Sequence, residues 1–223
     1  MVEQFDCEQG TPEWHEIRSG VITGSRFKDA RDKTVKGVYT SKARLYAMDL
    51  ARQRCGGSVV EKFQTVQMKL GREQEHFARR AYERRTGNLC EAVGFLRSED
   101  KLFGLSPDSL VDDDGVLEIK LMASSETLFT ALVDGDISEY IDQCNGYLWL
   151  LGRQWVDLVL WAPDLAEADM VVIRIERNEN DIEALEKDLM TFAAEVRVYE
   201  SKLRKKIIEL SAARAAKQEL EPA

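Results

Sequence analysis

Between Leu89 and Leu121 the chain gives up helical periodicity and breaks into short apolar runs separated by turn residues, a pattern that demands a sheet in the middle of the fold. The runs read as strands over Leu89–Leu96, Leu102–Leu105, Asp108–Val111 and Val116–Leu121. Asp114-Gly115 is the expected hairpin turn between the last two, because such a pair tolerates positive φ. Helical signals lie on both sides. Ser41 is placed to cap a helix running to about Cys55, where Gly56-Gly57 ends it, and a second helix runs from about Val66 to Arg85 and stops at Gly87. After the hairpin, Ser124 or Ser125 caps a short helix, Ile137–Leu151 forms another that ends at Gly152, and Trp155–Trp161 with Met170–Ile175 return to strand. Beyond Asn180, the residues Ile182, Leu185, Leu189, Phe192, Val196, Tyr199 and Leu203 keep a helical period, which predicts one long amphipathic helix over about residues 179–217. Its Ala-, Lys- and Glu-rich tail is expected to fray. The class is α+β. Four prolines, no internal repeat and no low-complexity tract leave no visible linker, so one domain is expected over residues 1–223, with a core at about 11–177.

The net charge of −9 argues against a protein that coats nucleic acid indiscriminately, since that binding needs many Lys and Arg contacts to phosphate. The distribution is uneven, however. Arg26, Lys28, Arg31, Lys33, Lys36, Lys42 and Arg44 face only Asp29 and Asp32 over that stretch, which reads equally as a nucleic-acid-facing arm or as a solvated loop. The scattered Cys7, Cys55, Cys90 and Cys144, with only two histidines, suggest free thiols rather than a zinc, iron–sulfur or disulfide framework. No apolar run approaches membrane-spanning length and the N-terminus has no leader pattern, so a cytoplasmic protein without a membrane partner is expected.

Alternation along Leu117-Glu118-Ile119-Lys120 puts Glu118 and Lys120 on one face of their strand and Leu117 and Ile119 on the other. Asp108, across the hairpin, is placed to meet Glu118 on that face. Phosphodiester hydrolysis suits these residue types: carboxylates hold hard divalent cations, and a flexible ammonium can position a water and offset its developing charge. By itself the pattern equally describes a salt bridge between neighbouring strands.

Read together, Trp14-His15-Glu16-Ile17-Arg18 through Gly24-Ser25, Gly71-Arg72-Glu73-Gln74-Glu75, Ser106-Pro107-Asp108, Leu117-Glu118-Ile119-Lys120 and Gln143 resemble the phage lambda exonuclease family, the YqaJ-type viral recombinases or phage alkaline exonucleases, over about Thr11 to Ile175. That resemblance implies a restriction-endonuclease-like core, with a central mixed sheet flanked by helices. It further implies a PD-(D/E)XK-type, Mg²⁺-dependent 5′-to-3′ exonuclease that digests one strand of linear double-stranded DNA processively and leaves 3′ overhangs for recombination. The expected assembly is a ring-shaped homotrimer working with a single-strand annealing protein, of phage or prophage origin.

Carried over residue by residue, the resemblance implies that Asp108, Glu118, the backbone carbonyl of Ile119 and Glu75 hold two Mg²⁺ ions, for which Mn²⁺ can substitute. Lys120 stands beside the attacking water, Gln143 orients water or phosphate, and Arg18 and Ser25, with Ser106, bind the terminal 5′ phosphate. The family's Q-x-Q pattern is here Gln143-Cys144-Asn145, which leaves Asn145 without an assigned role. An endonuclease on the same core and a noncatalytic DNA-binding adaptor stay open as alternatives.

Overall fold

The computed structural model describes residues 2–58 and 66–220. The chain opens with β1 (Val2–Phe5), α1 (Pro12–Ile17), β2 (Ile22–Thr23) and α2 (Phe27–Arg31), followed by the longer helices α3 (Ser41–Arg54) and α4 (Val66–Thr86). Strands β3 (Cys90–Glu91), β4 (Phe95–Ser98), β5 (Phe103–Leu105), β6 (Ser109–Val111) and β7 (Gly115–Leu121) fill the middle. Then come α5 (Ser125–Leu128), a π-turn at Phe129–Val133, α6 (Ser138–Leu151), β8 (Trp155–Trp161), β9 (Met170–Glu176) and α7 (Glu179–Leu220).

The strands form two mixed sheets rather than one. The smaller has the order β1-β4-β5-β2 and the larger β3-β6-β7-β8-β9. In the larger sheet β7 and β8 run parallel, with Glu118 opposite Leu158 and Lys120 opposite Leu160. A parallel pair needs a long crossover, and α5 and α6 supply it. Alternation then sorts the β7 side chains. Leu117 and Ile119 pack with Val111, Val159 and Trp161 against Ala78, Ala81 and Tyr82 of α4. Val116 joins Tyr147 and Leu148 of α6 on the opposite side, so Glu118 and Lys120 face that way. A third layer follows: Ile182, Leu185, Leu189, Phe192 and Val196 of α7 are buried with Ala43, Tyr46, Ala47 and Leu50 of α3.

Several local expectations are corrected by the structure. The cap of α3 is Thr40, whose Oγ1 accepts from the Ala43 N–H at 3.3 Å, and Ser41 is the first helical residue. The expected strand Leu89–Leu96 is split, because Cys90–Glu91 pairs with β6 while Phe95–Ser98 pairs with β1 and β5 in the other sheet. The hairpin turn is Asp112 to Asp114, since Val111 already pairs with Gly115. Asp112 takes the positive φ (44°), and Arg153 Nη1 clamps the turn by donating to the Asp112 carbonyl at 2.8 Å. Gly115 is small for another reason: a Cβ there would stand 2.1 Å from the Trp155 ring. Gly152, by contrast, does end α6 as expected, in the left-handed region at φ 67°. The long last helix runs to Leu220, a few residues past the expected 217, with its side chains exposed from Arg204 to Ala215; the last three residues of the tail lie outside the described residues.

The basic stretch is no free arm. Arg26 and Lys42 both pair with Asp29, Lys28 with Glu139, Arg31 with Asp142 and Asp188, and Lys33 with Asp188. Partners distant in sequence neutralise charges that look unopposed locally. Asn145, on the buried side of α6, stands away from Gln143, and Trp149 packs edge-on against Phe103 at 5.0 Å between ring centroids.

Candidate active site

The two sheets part company at one short segment. Ser106-Pro107-Asp108 leaves β5 of the smaller sheet and enters β6 of the larger, and a cleft of about 860 Å³ opens beside it. Arg18, Ser25, Glu75, Ser106, Asp108, Glu118, Ile119, Lys120 and Gln143, all singled out from the sequence, line this one cleft.

On the floor, Asp108 sits just before β6. Its Oδ2 accepts the Ile119 backbone N–H at 2.5 Å, which locks the carboxylate against β7 one residue beyond Glu118. Burial, and then the charges of Glu118 and Glu75, hold the Asp108 carboxyl well above the usual range. Glu118 is 3 % exposed, and a buried carboxylate requires donors around it. It has three: Tyr147 Oη donates to Oε2 at 2.5 Å, while Gln143 Nε2 at 2.8 Å and Lys120 Nζ at 2.7 Å reach Oε1. Lys120 Nζ also donates to Gln143 Oε1 at 3.1 Å. Burial alone would lower the Lys120 pKa, but Glu118 and Asp108 outweigh it, so the ammonium keeps its proton more firmly than a free lysine.

Glu75 comes from the facing helix α4. Its carboxylate is turned to Arg79, whose Nη2 also donates to the Asp108 carbonyl at 2.9 Å. Burial raises the Glu75 pKa, with Glu118 adding to the effect. Three carboxyl groups thus crowd together and repel one another, and hard oxygen donors with surplus negative charge are the chemistry that suits a divalent cation of the Mg²⁺ type. With Glu75 drawn to Arg79 and both Glu118 oxygens engaged, no group of three or more His, Cys, Asp or Glu forms a ready metal cage among the described residues. The donor set fits such an ion once Glu75 turns from Arg79 and Lys120 and Gln143 give up Glu118 Oε1.

Next to Ser106 the cleft is cationic. Thr11 and Pro12 start α1, the Thr11 Oγ1 accepting from the Trp14 N–H at 3.3 Å, and Arg18 falls at the C-terminal cap. The guanidinium therefore folds back over the Trp14 ring, 3.7 Å from its centroid. Ser106 Oγ accepts from both Arg18 Nη1 (3.4 Å) and Trp14 Nε1 (3.3 Å). Among the described residues Arg18 pairs with no carboxylate, and burial pushes its pKa down to about 10. A half-buried guanidinium with no carboxylate partner among the described residues, beside the Ser106 hydroxyl, is a place for an anion. Ser25 lies exposed in the turn Gly24–Arg26 and caps no helix.

Two contributors escaped the sequence reading. Tyr147 is the more central, and its only sequence signal is its spacing of four from Gln143, which puts both on one face of α6. Arg79, which bridges Glu75 and Asp108, gave no stronger signal, whereas Trp14 opens the N-terminal motif and its spacing of four from Arg18 fits the stack observed.

A model of the YqaJ-like viral recombinase domain matches residues 13–154. The alkaline exonuclease LHK-Exo from Laribacter hongkongensis is 31 % identical over 90 % of this chain and 100 % of that chain, with a TM-score of 0.78; its structure in complex with dAMP gives 0.80 at the same identity and coverage. A phage-related exonuclease from Haemophilus somnus 129PT, 16 % identical over 84 % of this chain and 96 % of that chain, shares the fold at a TM-score of 0.61. None of the curated proteins matches. Among the described residues no helix is long and apolar enough to cross a membrane.

Proposed function

The chain belongs to the YqaJ-like viral recombinase family, and from that we propose that it is a Mg²⁺-dependent 5′-to-3′ exonuclease, digesting one strand of linear double-stranded DNA to leave 3′ overhangs for recombination. One observation carries the reading: a single cleft holds a carboxylate–lysine–glutamine centre and, on the Ser106 that precedes Pro107-Asp108, an arginine that pairs with no carboxylate among the described residues.

Asp108, Glu118, the Ile119 carbonyl and Glu75 would hold two Mg²⁺ ions, with Mn²⁺ able to substitute, and the ions would neutralise charge on the reacting phosphate. Lys120 positions the attacking water and offsets the charge it gains on losing its proton. Gln143, already bonded to both Lys120 and Glu118, orients that water or a phosphate oxygen. The water oxygen bonds to phosphorus as the bond to the 3′ oxygen breaks, and the 3′ oxygen takes up a proton. Arg18, Ser25 and Ser106 bind the terminal 5′ phosphate. Each cut leaves a fresh 5′ phosphate on the remaining strand, which is the group these residues accept, so the strand is drawn forward one nucleotide at a time. In this reading three copies close a ring around the duplex, and a single-strand annealing protein takes up the overhang.

Linear and covalently closed circular duplexes incubated with Mg²⁺ or with a chelator test the proposal. Loss of the linear duplex alone, in Mg²⁺ alone, is the expected result. Nicking or opening of circles would instead make the protein an endonuclease on the same core, and no nucleotide release at all would make it a noncatalytic adaptor.

A further inference from the structure

We propose that Tyr147 is a positioning residue that makes Glu118 coordinate through one oxygen, and so sets the preference of the centre for Mg²⁺ over larger divalent cations. The inference rests on the reading of Glu118 as a metal ligand.

Lys120 has donors only. Its contact with the Gln143 amide at 3.1 Å must therefore be with the carbonyl oxygen, which leaves the Gln143 NH₂ group facing Tyr147 and Glu118. That amide donates to Tyr147 Oη at 2.7 Å, so the single hydroxyl proton of Tyr147 goes to an acceptor, and Glu118 Oε2 at 2.5 Å is far nearer than the Ser106 carbonyl at 3.5 Å. Every direction of donation in the ring is thus fixed by one lysine.

Tyr147 is also unable to leave. It is 1 % exposed and packed in the core shared by α3, α6 and α7, whereas Lys120 and Gln143 are only half-buried and line the cleft. An arriving cation can displace Lys120 and Gln143 from Oε1, but it meets a fixed proton donor on Oε2. Ca²⁺ takes six to eight oxygens and accepts carboxylates through both of theirs, whereas Mg²⁺ wants about six single oxygens in near-ideal octahedral array. A carboxylate with one oxygen reserved therefore favours Mg²⁺.

Calorimetric titration of the whole chain with MgCl₂ and with CaCl₂, without DNA, tests this in Tyr147→Phe against the wild type. The expected result is a rise of about tenfold in the ratio of Ca²⁺ to Mg²⁺ affinity, the scale of changes around metal ligands. A purely structural Tyr147 would weaken both ions alike, and an unchanged ratio with intact wild-type binding overturns the inference alone. A wild type that binds neither ion, or a Glu118→Gln protein that binds both as wild type does, overturns the metal reading with it. Thermal unfolding checks the fold, and Tyr147→Met, which fills the space without a hydroxyl, gives the same comparison should the phenylalanine protein not fold.

Discussion

Lys120 Nζ lies 2.7 Å from Glu118 Oε1, two residues away on the same face of β7, and the same ammonium reaches Gln143 on α6. A lysine held this way has its charge fixed and its reach directed into the cleft. Lys120→Ala should cut DNA hydrolysis by about 10²–10⁴-fold, the range for a positioned proton-handling group. Gel-shift binding to duplex ends in Ca²⁺ should stay within a few fold of wild type. Near-normal nucleotide release by the variant would remove Lys120 from the reaction.

Arg18 offers a selective prediction, because among the described residues its charge pairs with no carboxylate. Arg18→Ala should slow digestion of 5′-phosphorylated ends about ten- to hundredfold, as expected for loss of a charge-assisted hydrogen bond, and leave 5′-hydroxyl ends unchanged. Digestion rates on paired substrates differing only in that phosphate measure the effect. Equal slowing on both ends would place Arg18 in general DNA binding instead.

Gly115 should tolerate no side chain. The Trp155 ring occupies the position of its missing Cβ, with Arg174 stacked on that ring 3.8 Å from its centroid. Gly115→Ala should cost about 1–3 kcal/mol in urea unfolding, the usual cost of overpacking. An unchanged midpoint would mean that Trp155 swings out freely.

Asp29 gives a pH dependence away from the carboxylates of the cleft. Burial alone would raise its pKa, but hydrogen bonds from Lys42 and Arg26 outweigh it and the folded value lies below the ordinary one. Such a carboxylate adds stability above its unfolded pKa, near 4, and that contribution disappears as pH falls through the lower folded value. Asp29→Asn should therefore lower the thermal midpoint at neutral pH, and the difference from wild type should shrink below about pH 4. A difference constant across that window would show that the ion pair contributes nothing.

How far the sequence carried depended on whether a property was local. Strand alternation is local, so Glu118 and Lys120 on one face and Leu117 with Ile119 on the other were legible from four letters. Long-range pairing is not. The run Leu89–Leu96 looks continuous, yet its two halves serve different sheets, a division set by β1 and β6, which lie far apart in the chain. The basic stretch misled for the same reason, since Glu139, Asp142 and Asp188 answer it from more than a hundred residues away. Tyr147 was invisible in another way: an aromatic on an apolar helix reads as core, and it is core, except for the one hydroxyl that touches Glu118. Asp114-Gly115 shows a right letter with the wrong cause, because Gly115 makes room for an indole and Asp112 bends the chain.

The passage from one sheet to the other has a metric consequence. Ser106 and Asp108 are separated by a single proline, so their Cα atoms stand no more than about 7 Å apart however the surrounding layers breathe. Under the proposed function, the hydroxyl that grips the strand end and the carboxylate that marks the cut are two graduations on one covalent ruler. Loosening the core would then make the enzyme slower or less stable, but it would not make it cut in larger steps.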